Sequence, residues 1–307
     1  NSVMTSRERL IQTLNHQPVD RVCVDFGGTA VTGMAASTVS KLRKAALHED
    51  GYRVKVNEPY QMLGEMDDEL CEALGIDVIG VTPPKTLFGF ENTNWKPFTL
   101  FDGTEVMVPG DFNVTQDEKG DLLIYPEGDT SVSPSGRMPK DGYYFDAICR
   151  QDPIDDENLD PADNLEEFKL LTDADIRHFV TQAERAERMQ KGAIITVPGT
   201  GFGDIALVPA MWMKRTKGIR EIEEWYVSTV MRRDYVYKVF EGQCEVAVKN
   251  LDRLIAAVGN RVHVAFVTGT DFGTQLGSFI SPAMYRELFQ PFHKMITEYI
   301  HKHTNWK

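Results

Sequence analysis

The feature that most constrains this chain is a repeated unit: a strand-length apolar run, a loop rich in glycine, threonine or aspartate, and then a helical segment. The runs cover residues 21–26, 76–81, 193–197 and 262–267. Strands that alternate with helices through short connections favour a parallel sheet. The sequence therefore predicts an α/β fold with four parallel strands.

Capping residues mark several of the predicted helices. Thr5 with Glu8 three residues later has the pattern of a capping box, and Thr172 begins a helix that we expect to end near residue 190. Ser281 precedes a proline at the first helical position. The remaining helices are predicted over residues 34–47, 61–74, 219–231 and 234–258, and the last helix from residue 281 to about residue 301.

Residues 86–150 interrupt this alternation. Asp102-Gly103 joins two alternating runs within residues 98–108, which is a strong hairpin signature. A second hairpin is predicted around residues 117–120, with its return strand over residues 121–125. We interpret residues 86–150 as an antiparallel hairpin insertion within one α/β-barrel domain that spans residues 1–307.

Composition limits the classes of partner. Lys and Arg total 33 against 46 Asp and Glu, a net charge of −13, and no concentrated basic patch is present, so nucleic acid is not an expected partner. The apolar runs are too short to span a membrane. Four dispersed cysteines without a C-x-x-C pair are typical of reduced thiols, and we expect a cytoplasmic protein.

Candidate site residues lie where the parallel strands are predicted to end, since ligands bind at the carboxyl ends of such strands. Asp271 is predicted to be catalytic, as a proton carrier or hydrogen-bond acceptor. Asp25 has two interpretations, a functional carboxylate or one that ties its own loop. The predicted substrate-binding residues are Asp25, Gly27, Gly28, Tyr60, Gln61, Gly199, Thr200, Gly201, Thr270 and Gln275.

Glycines at strand ends let a planar ligand approach the backbone. The run from Gly199 to Gly203 lacks the G-x-G-x-x-G spacing of a dinucleotide loop, so nucleotide binding is not expected there. His293, His301 and His303 lack the spacing of a helical metal pair, and we expect all three to be surface or interface residues. No metal ligand is assigned within the chain.

Several motifs resemble the uroporphyrinogen decarboxylase superfamily. They are Ser6-Arg-Glu-Arg-Leu10, Leu14-Asn-His16-Gln-Pro18 and Asp20-Arg-Val22 before the first run, Thr270-Asp271 after the fourth run, and Ser281-Pro282 followed by Tyr285 and Pro291-Phe292. The resemblance implies a TIM-type (β/α)8 barrel, of which this chain would cover roughly the first four units. We expect the rest to come from residues after Lys307, a second copy in a homodimer, or a second chain.

Two chemistries occur in that superfamily. Its decarboxylases use an arginine-rich segment after the first strand and an aspartate at the end of the second. This chain has no arginine between Asp25 and Arg43, and its second run ends in Thr82 and two prolines. A polyanionic tetrapyrrole is hard to bind without arginines, so the decarboxylase branch is disfavoured.

The other branch consists of methyltransferases. The resemblance to it implies transfer of a methyl group between a corrinoid (cobalamin) carried by a partner protein and a small-molecule acceptor, a thiol or a folate. In thiol-dependent members zinc activates the acceptor, and its ligands would be expected beyond Lys307. A carboxy-lyase of porphyrin metabolism is the first alternative, and a non-catalytic corrinoid- or partner-binding protein is the second.

Overall fold

The structure, a computed structural model that describes residues 3–307, is a mixed α/β fold, which confirms the predicted class. The strands are β1 (Val54–Glu58), β2 (Leu63–Gly64), β3 (Val78–Val81), β4 (Lys96–Thr99), β5 (Glu105–Val108), β6 (Val114–Gln116), β7 (Leu122–Ile124), β8 (Gly136–Met138), β9 (Asp146–Ala147), β10 (Gly192–Thr196) and β11 (Val264–Phe266). The helices are α1 (Ser6–Leu14), α2 (Ala36–Leu47), α3 (Asp68–Leu74), α4 (Asp173–Arg188), α5 (Ile222–Met231), α6 (Arg233–Val258), α7 (Pro282–Met284) and α8 (Gln290–His303). A π-helical turn, Tyr285–Phe289, joins α7 and α8. Among residues 3–307, no helix combines the length and the apolarity needed to cross a membrane.

Three parallel strands form the central sheet, in the order β11-β10-β3. Ile194 of β10 pairs with Gly80 of β3 on one side and with Val264 of β11 on the other. Alternate residues such as Ile79 and Ile195 point into a core that also contains buried residues of α4, α6 and α8. The strands predicted at residues 76–81, 193–197 and 262–267 are therefore confirmed; the first and the last are shorter than predicted, and the middle one begins and ends one residue earlier.

The strand predicted over residues 21–26 is not a regular strand. The amide of Asp77 donates to the carbonyl of Val24 (2.8 Å), so the segment lies beside the start of β3. The amide of Val24 donates to the Asp77 side chain (2.8 Å) instead of a backbone carbonyl. The Asp77 carboxylate thus takes the place of a backbone carbonyl as the acceptor for the Val24 amide, so the segment lies beside β3 without forming a regular strand.

Asp77 has no solvent-exposed surface. Its carboxylate also accepts hydrogen bonds from Ser6, Arg9 and Arg21, each at 2.7–2.9 Å. Burial raises the pKa of Asp77, but these donors outweigh burial and hold the pKa below its usual range. Asp77 therefore connects α1, the segment 21–26 and the central sheet.

The hairpins predicted within residues 98–125 are confirmed. β4 and β5 pair antiparallel across Asp102-Gly103, where Gly103 has a φ of +84°, and β6 pairs antiparallel with β7. β8 and β9 extend the second hairpin into a four-stranded sheet. Their core contains Phe88, Phe112 and Phe145, together with residues outside 86–150 such as Met211.

The helix predicted over residues 61–74 is wrong in its first half. β1 and β2 occupy residues 54–64, and α3 begins only after Asp67, whose side chain caps it by accepting from the Leu70 amide (2.9 Å). β1 pairs in parallel with β5 and so joins the hairpin region to α2. Near the end of the sequence, Lys307 donates to His263 and accepts from Ala265, the bonding pattern of a parallel neighbour of β11.

Candidate functional site

The carboxyl ends of several strands bring acidic and tyrosine side chains together. Glu58 ends β1, Asp204 follows β10, and Asp271 follows β11. Tyr60 and Tyr226 are both close enough to Asp204 for its charge to raise their pKa values. The Tyr226 hydroxyl donates to the Asp271 carbonyl (3.0 Å). We call these five residues the carboxylate–tyrosine cluster.

Burial and mutual repulsion perturb the proton affinity of this cluster. Burial raises the pKa of Asp204, and the negative charge of Asp271 adds to this increase. The hydrogen bond from the Ala206 amide opposes it without cancelling it. Burial raises the pKa of Glu58 to about 6, although the amides of Gln61 and Tyr60 oppose this change. These two carboxyl groups are thus better proton acceptors near neutral pH than exposed carboxylates are.

The tyrosines experience the same field. Burial, followed by the charges of Asp204 and Asp271, raises the pKa of Tyr226 to about 12. Burial also raises the pKa of Tyr60, and Glu58 and Asp204 are among the charges that add to the effect. Both phenols are therefore protonated at neutral pH and can donate hydrogen bonds.

No ion pair offsets these charges in the part of the chain that the structure describes. Asp204 has no Lys, Arg or His nitrogen within 4 Å there. Within residues 3–307, neither Glu58 nor Asp271 has a Lys, Arg or His nitrogen within 4 Å. The cluster is suited to proton transfer and to neutral or cationic groups, and it is unsuited to polyanions.

Asp25, Gly27 and Gly28 serve their own loop. Asp25 accepts from the Gly28 amide (2.9 Å) and from the Thr32 hydroxyl (3.3 Å), and burial raises its pKa against these two bonds. A Cβ on Gly28 would lie 2.6 Å from Asp25 and 2.9 Å from Ile194. These two hydrogen bonds support the loop-tying interpretation of Asp25, and Gly28 is needed for packing.

Tyr60 and Gln61 follow β1, not a loop that leads directly into a helix. The ring of Tyr60 packs edge-on against Phe88, with 6.3 Å between centroids. Gln61 is exposed, and its backbone amide donates to the Glu58 carboxylate (2.7 Å). Tyr60 belongs to the carboxylate–tyrosine cluster, whereas the Gln61 side chain points to solvent.

The loop after β10 contains a buried threonine, Thr200, and two glycines that line a cavity. Thr200 is fully buried, and its hydroxyl donates to the carbonyls of Val197 and Val267, so it joins the ends of β10 and β11. Thr200 is thus not accessible to a substrate, contrary to our expectation. Gly199 and Gly201 line a cavity, and the Gly199 carbonyl accepts from Gln243 (3.0 Å).

The loop after β11 is open. The Thr270 hydroxyl bonds to that of Thr268 (2.6 Å), while Asp271 and Gln275 are exposed. The loop folds back so that Phe279 stacks on Tyr226, with 4.5 Å between ring centroids. The predicted residues Thr270 and Asp271 therefore lie at the cluster, and Gln275 lies farther out in the loop.

His293, expected at the surface or at an interface, packs against aromatic rings of its own chain. It is half-buried, and its ring lies 5.9 Å from that of Phe202 and 6.5 Å from that of Phe272. Nδ1 is 3.0 Å from the Tyr285 hydroxyl, and Nε2 is buried without a hydrogen-bond partner. Burial lowers the pKa of His293. His301 and His303 are exposed, as expected.

The described part of the chain supplies no set of zinc ligands. No three His, Cys, Asp or Glu side chains within residues 3–307 are placed to hold one metal ion. All four cysteines are free thiols, and burial raises the pKa of Cys23, Cys71 and Cys244 to about 11. The zinc that the resemblance implies is therefore not assigned to any residue here.

Sequence reasoning missed Glu58, Asp204 and Tyr226. Asp204 directly follows the glycine-rich loop that we had noted, so its position could have been recognised. Glu58 would have followed from recognising β1, whereas Tyr226 lies on a helix 45 residues before its hydrogen-bond partner.

Comparison with protein-family models, curated proteins and solved structures found no match to this chain.

Proposed function

We propose that this protein is a methyltransferase that moves a methyl group between a protein-bound corrinoid and a thiol or folate-type acceptor. The observation that carries the proposal is that, among residues 3–307, no Lys, Arg or His nitrogen lies within 4 Å of Glu58, Asp204 or Asp271. A tetrapyrrole with several carboxylates would meet only like charge at the cluster, which costs binding free energy. A thiol or an amine acceptor carries no such penalty.

The proposed fold is a (β/α)8 barrel to which the parallel segments belong. In its support, segment 21–26, β3, β10 and β11 are neighbours in the same order as in the chain. Lys307 hydrogen-bonds beside β11 in the same parallel sense. At the amino end, Leu10 of α1 packs against Gly192, where an added Cβ would lie 2.2 Å from the leucine.

The acceptor must lose a proton before or during methyl transfer, because a thiolate or a deprotonated amine is the nucleophile. The corrinoid, when bound on its partner, supplies or accepts the methyl group. Asp204 is the group we assign to take up the acceptor's proton, because burial and Asp271 raise its pKa. Tyr226, protonated at neutral pH, positions the Asp271 loop through its hydrogen bond.

The test is an ultraviolet–visible assay with methylcobalamin as the donor probe and a simple thiol or tetrahydrofolate as the acceptor. We expect loss of the methylcobalamin spectrum, and a rate about 100-fold lower in Asp204→Asn. Glu118→Gln, an exposed carboxylate in a hairpin turn, is the matched control and should leave the rate unchanged. Folded protein that changes the spectrum with neither acceptor, across the pH range, would contradict the proposal.

A further inference from the structure

The cavity that Gly199 and Gly201 line lies beside the carboxylate–tyrosine cluster. It has a volume of about 560 Å³ and is bounded by the loops after β3 and β10, the segment before α4, and α6. Only Asp204 of the cluster contributes to its wall. We call it the outer cavity. Most of its wall is apolar, formed by Phe168, Leu207, Val208, Trp212, Met213, Trp225 and Val239.

The rim of the outer cavity carries cations without partners. Lys85, Lys169 and Arg215 line it and are exposed, and none has a carboxylate within 4 Å in the part of the chain that the structure describes. By contrast, Lys214 pairs with Asp129 (3.0 Å) and Arg220 with Glu167 (2.7 Å) in the same wall. In all, five cations and four carboxylates (Glu127, Glu166, Glu167 and Asp204) line the outer cavity, so its wall is slightly positive in a chain of net charge −13.

The wall also contains a polar group without a partner. Trp225 is only 3% exposed, and its Nε1 has no acceptor among residues 3–307. This N–H lies against Gly203, another residue of the wall, at 3.0 Å from the position of an added Cβ. A buried indole N–H normally has an acceptor. A ligand oxygen in the outer cavity would supply one after a small side-chain shift.

We propose that the outer cavity binds a small organic anion with an apolar body, of which an aromatic carboxylate is the class that fits best. The apolar walls take the ring, and Lys85, Lys169 and Arg215 attract the carboxylate. The indole N–H of Trp225 adds a directional contact. The outer cavity shares Asp204, the proposed proton acceptor, with the cluster, so its ligand is tested without a corrinoid or a methyl acceptor.

The experiment is calorimetric titration with naphthoate and with its neutral analogue naphthamide, in the absence of any corrinoid. We expect one saturable site for naphthoate and at least about tenfold weaker binding of naphthamide, because the amide lacks the charge. A variant with Lys85→Glu, Lys169→Glu and Arg215→Glu should bind naphthoate about 100-fold more weakly. Lys302→Glu, an exposed and unpaired lysine on α8, is the control and should change nothing.

Two further variants test the depth of the site. Leu207→Trp fills the outer cavity and should abolish binding, and Trp225→Phe should weaken naphthoate binding about fivefold by removing the N–H. Equal affinity for naphthoate and naphthamide, or unchanged affinity in the charge-reversed variant, would overturn the proposal. Non-saturable heats with both probes would overturn it as well. None of these outcomes bears on methyl transfer, which is assayed separately.

Discussion

Replacing Asp77 by Ala should destabilise the protein far more than replacing an exposed carboxylate. Asp77 is fully buried and accepts from Arg9, Arg21, Ser6 and the Val24 amide. Removing one partner of a buried ion pair costs about 3–5 kcal/mol. Arg9 keeps its pair with Asp20, and Arg21 is 42% exposed, so we expect a loss of about 3 kcal/mol, the lower end of that range.

The assay is thermal and urea unfolding followed by circular dichroism. With about 2.1 cal/mol/K of unfolding entropy per residue, a loss of about 3 kcal/mol lowers Tm by about 5 °C. Asp50→Ala is the matched control, because Asp50 pairs with Lys44 at 83% and 70% exposure and should cost at most about 1 kcal/mol. Equal losses in Asp77→Ala and Asp50→Ala would refute the role of Asp77 as the connection between α1, segment 21–26 and the sheet.

Two other predictions concern the sheet. Gly80→Ala places a Cβ 2.2 Å from the Gly28 carbonyl and should destabilise the protein by about 1–3 kcal/mol in the same assay. Gly273→Ala, whose added Cβ meets nothing within 4 Å, should have little effect. Similar losses in the two variants would contradict the close approach of Gly80 to Gly28. Burial lowers the pKa of His263 to about 4. The Nδ1 atom of this histidine accepts a hydrogen bond from the Ala193 amide. The folded protein favours neutral His263, so its contribution to the free energy of unfolding is complete above the unfolded-state pKa of 6.5. As the pH falls from 6.5 to 4, urea unfolding should show a loss of up to about 3 kcal/mol in that free energy. His263→Asn should remove this pH dependence, and its persistence would refute the assignment.

Most elements with strong local patterns could be predicted from the sequence. The apolar runs that became β3, β10 and β11 pair in one parallel sheet, and the Asp102-Gly103 turn fixes its hairpin locally. The capping box predicted at Thr5 and Glu8 is observed. The helix start predicted at Thr172 is observed too, with the Asp175 amide donating to the threonine hydroxyl (3.1 Å). In these places the local preference and the tertiary packing agree.

The failures occurred where distant residues decide the structure. Val54 and Val56 are buried in β1, but the charged residues between and after them hid a strand that needs β5 as its partner. Segment 21–26 has a strand-like sequence, yet the Asp77 side chain takes a backbone position. His293 is covered by Phe202 and Phe272, which the fold brings from other loops. None of these contacts has a local signature.

The measurement that tests the central claim most directly compares two reactions in one protein preparation. Methylcobalamin with a thiol or tetrahydrofolate is followed by absorbance, and uroporphyrinogen is followed by release of carbon dioxide. A carboxylate–tyrosine cluster without cations should support methyl loss from methylcobalamin and no release of carbon dioxide. Carbon dioxide release from uroporphyrinogen without any change in the methylcobalamin spectrum would contradict the account.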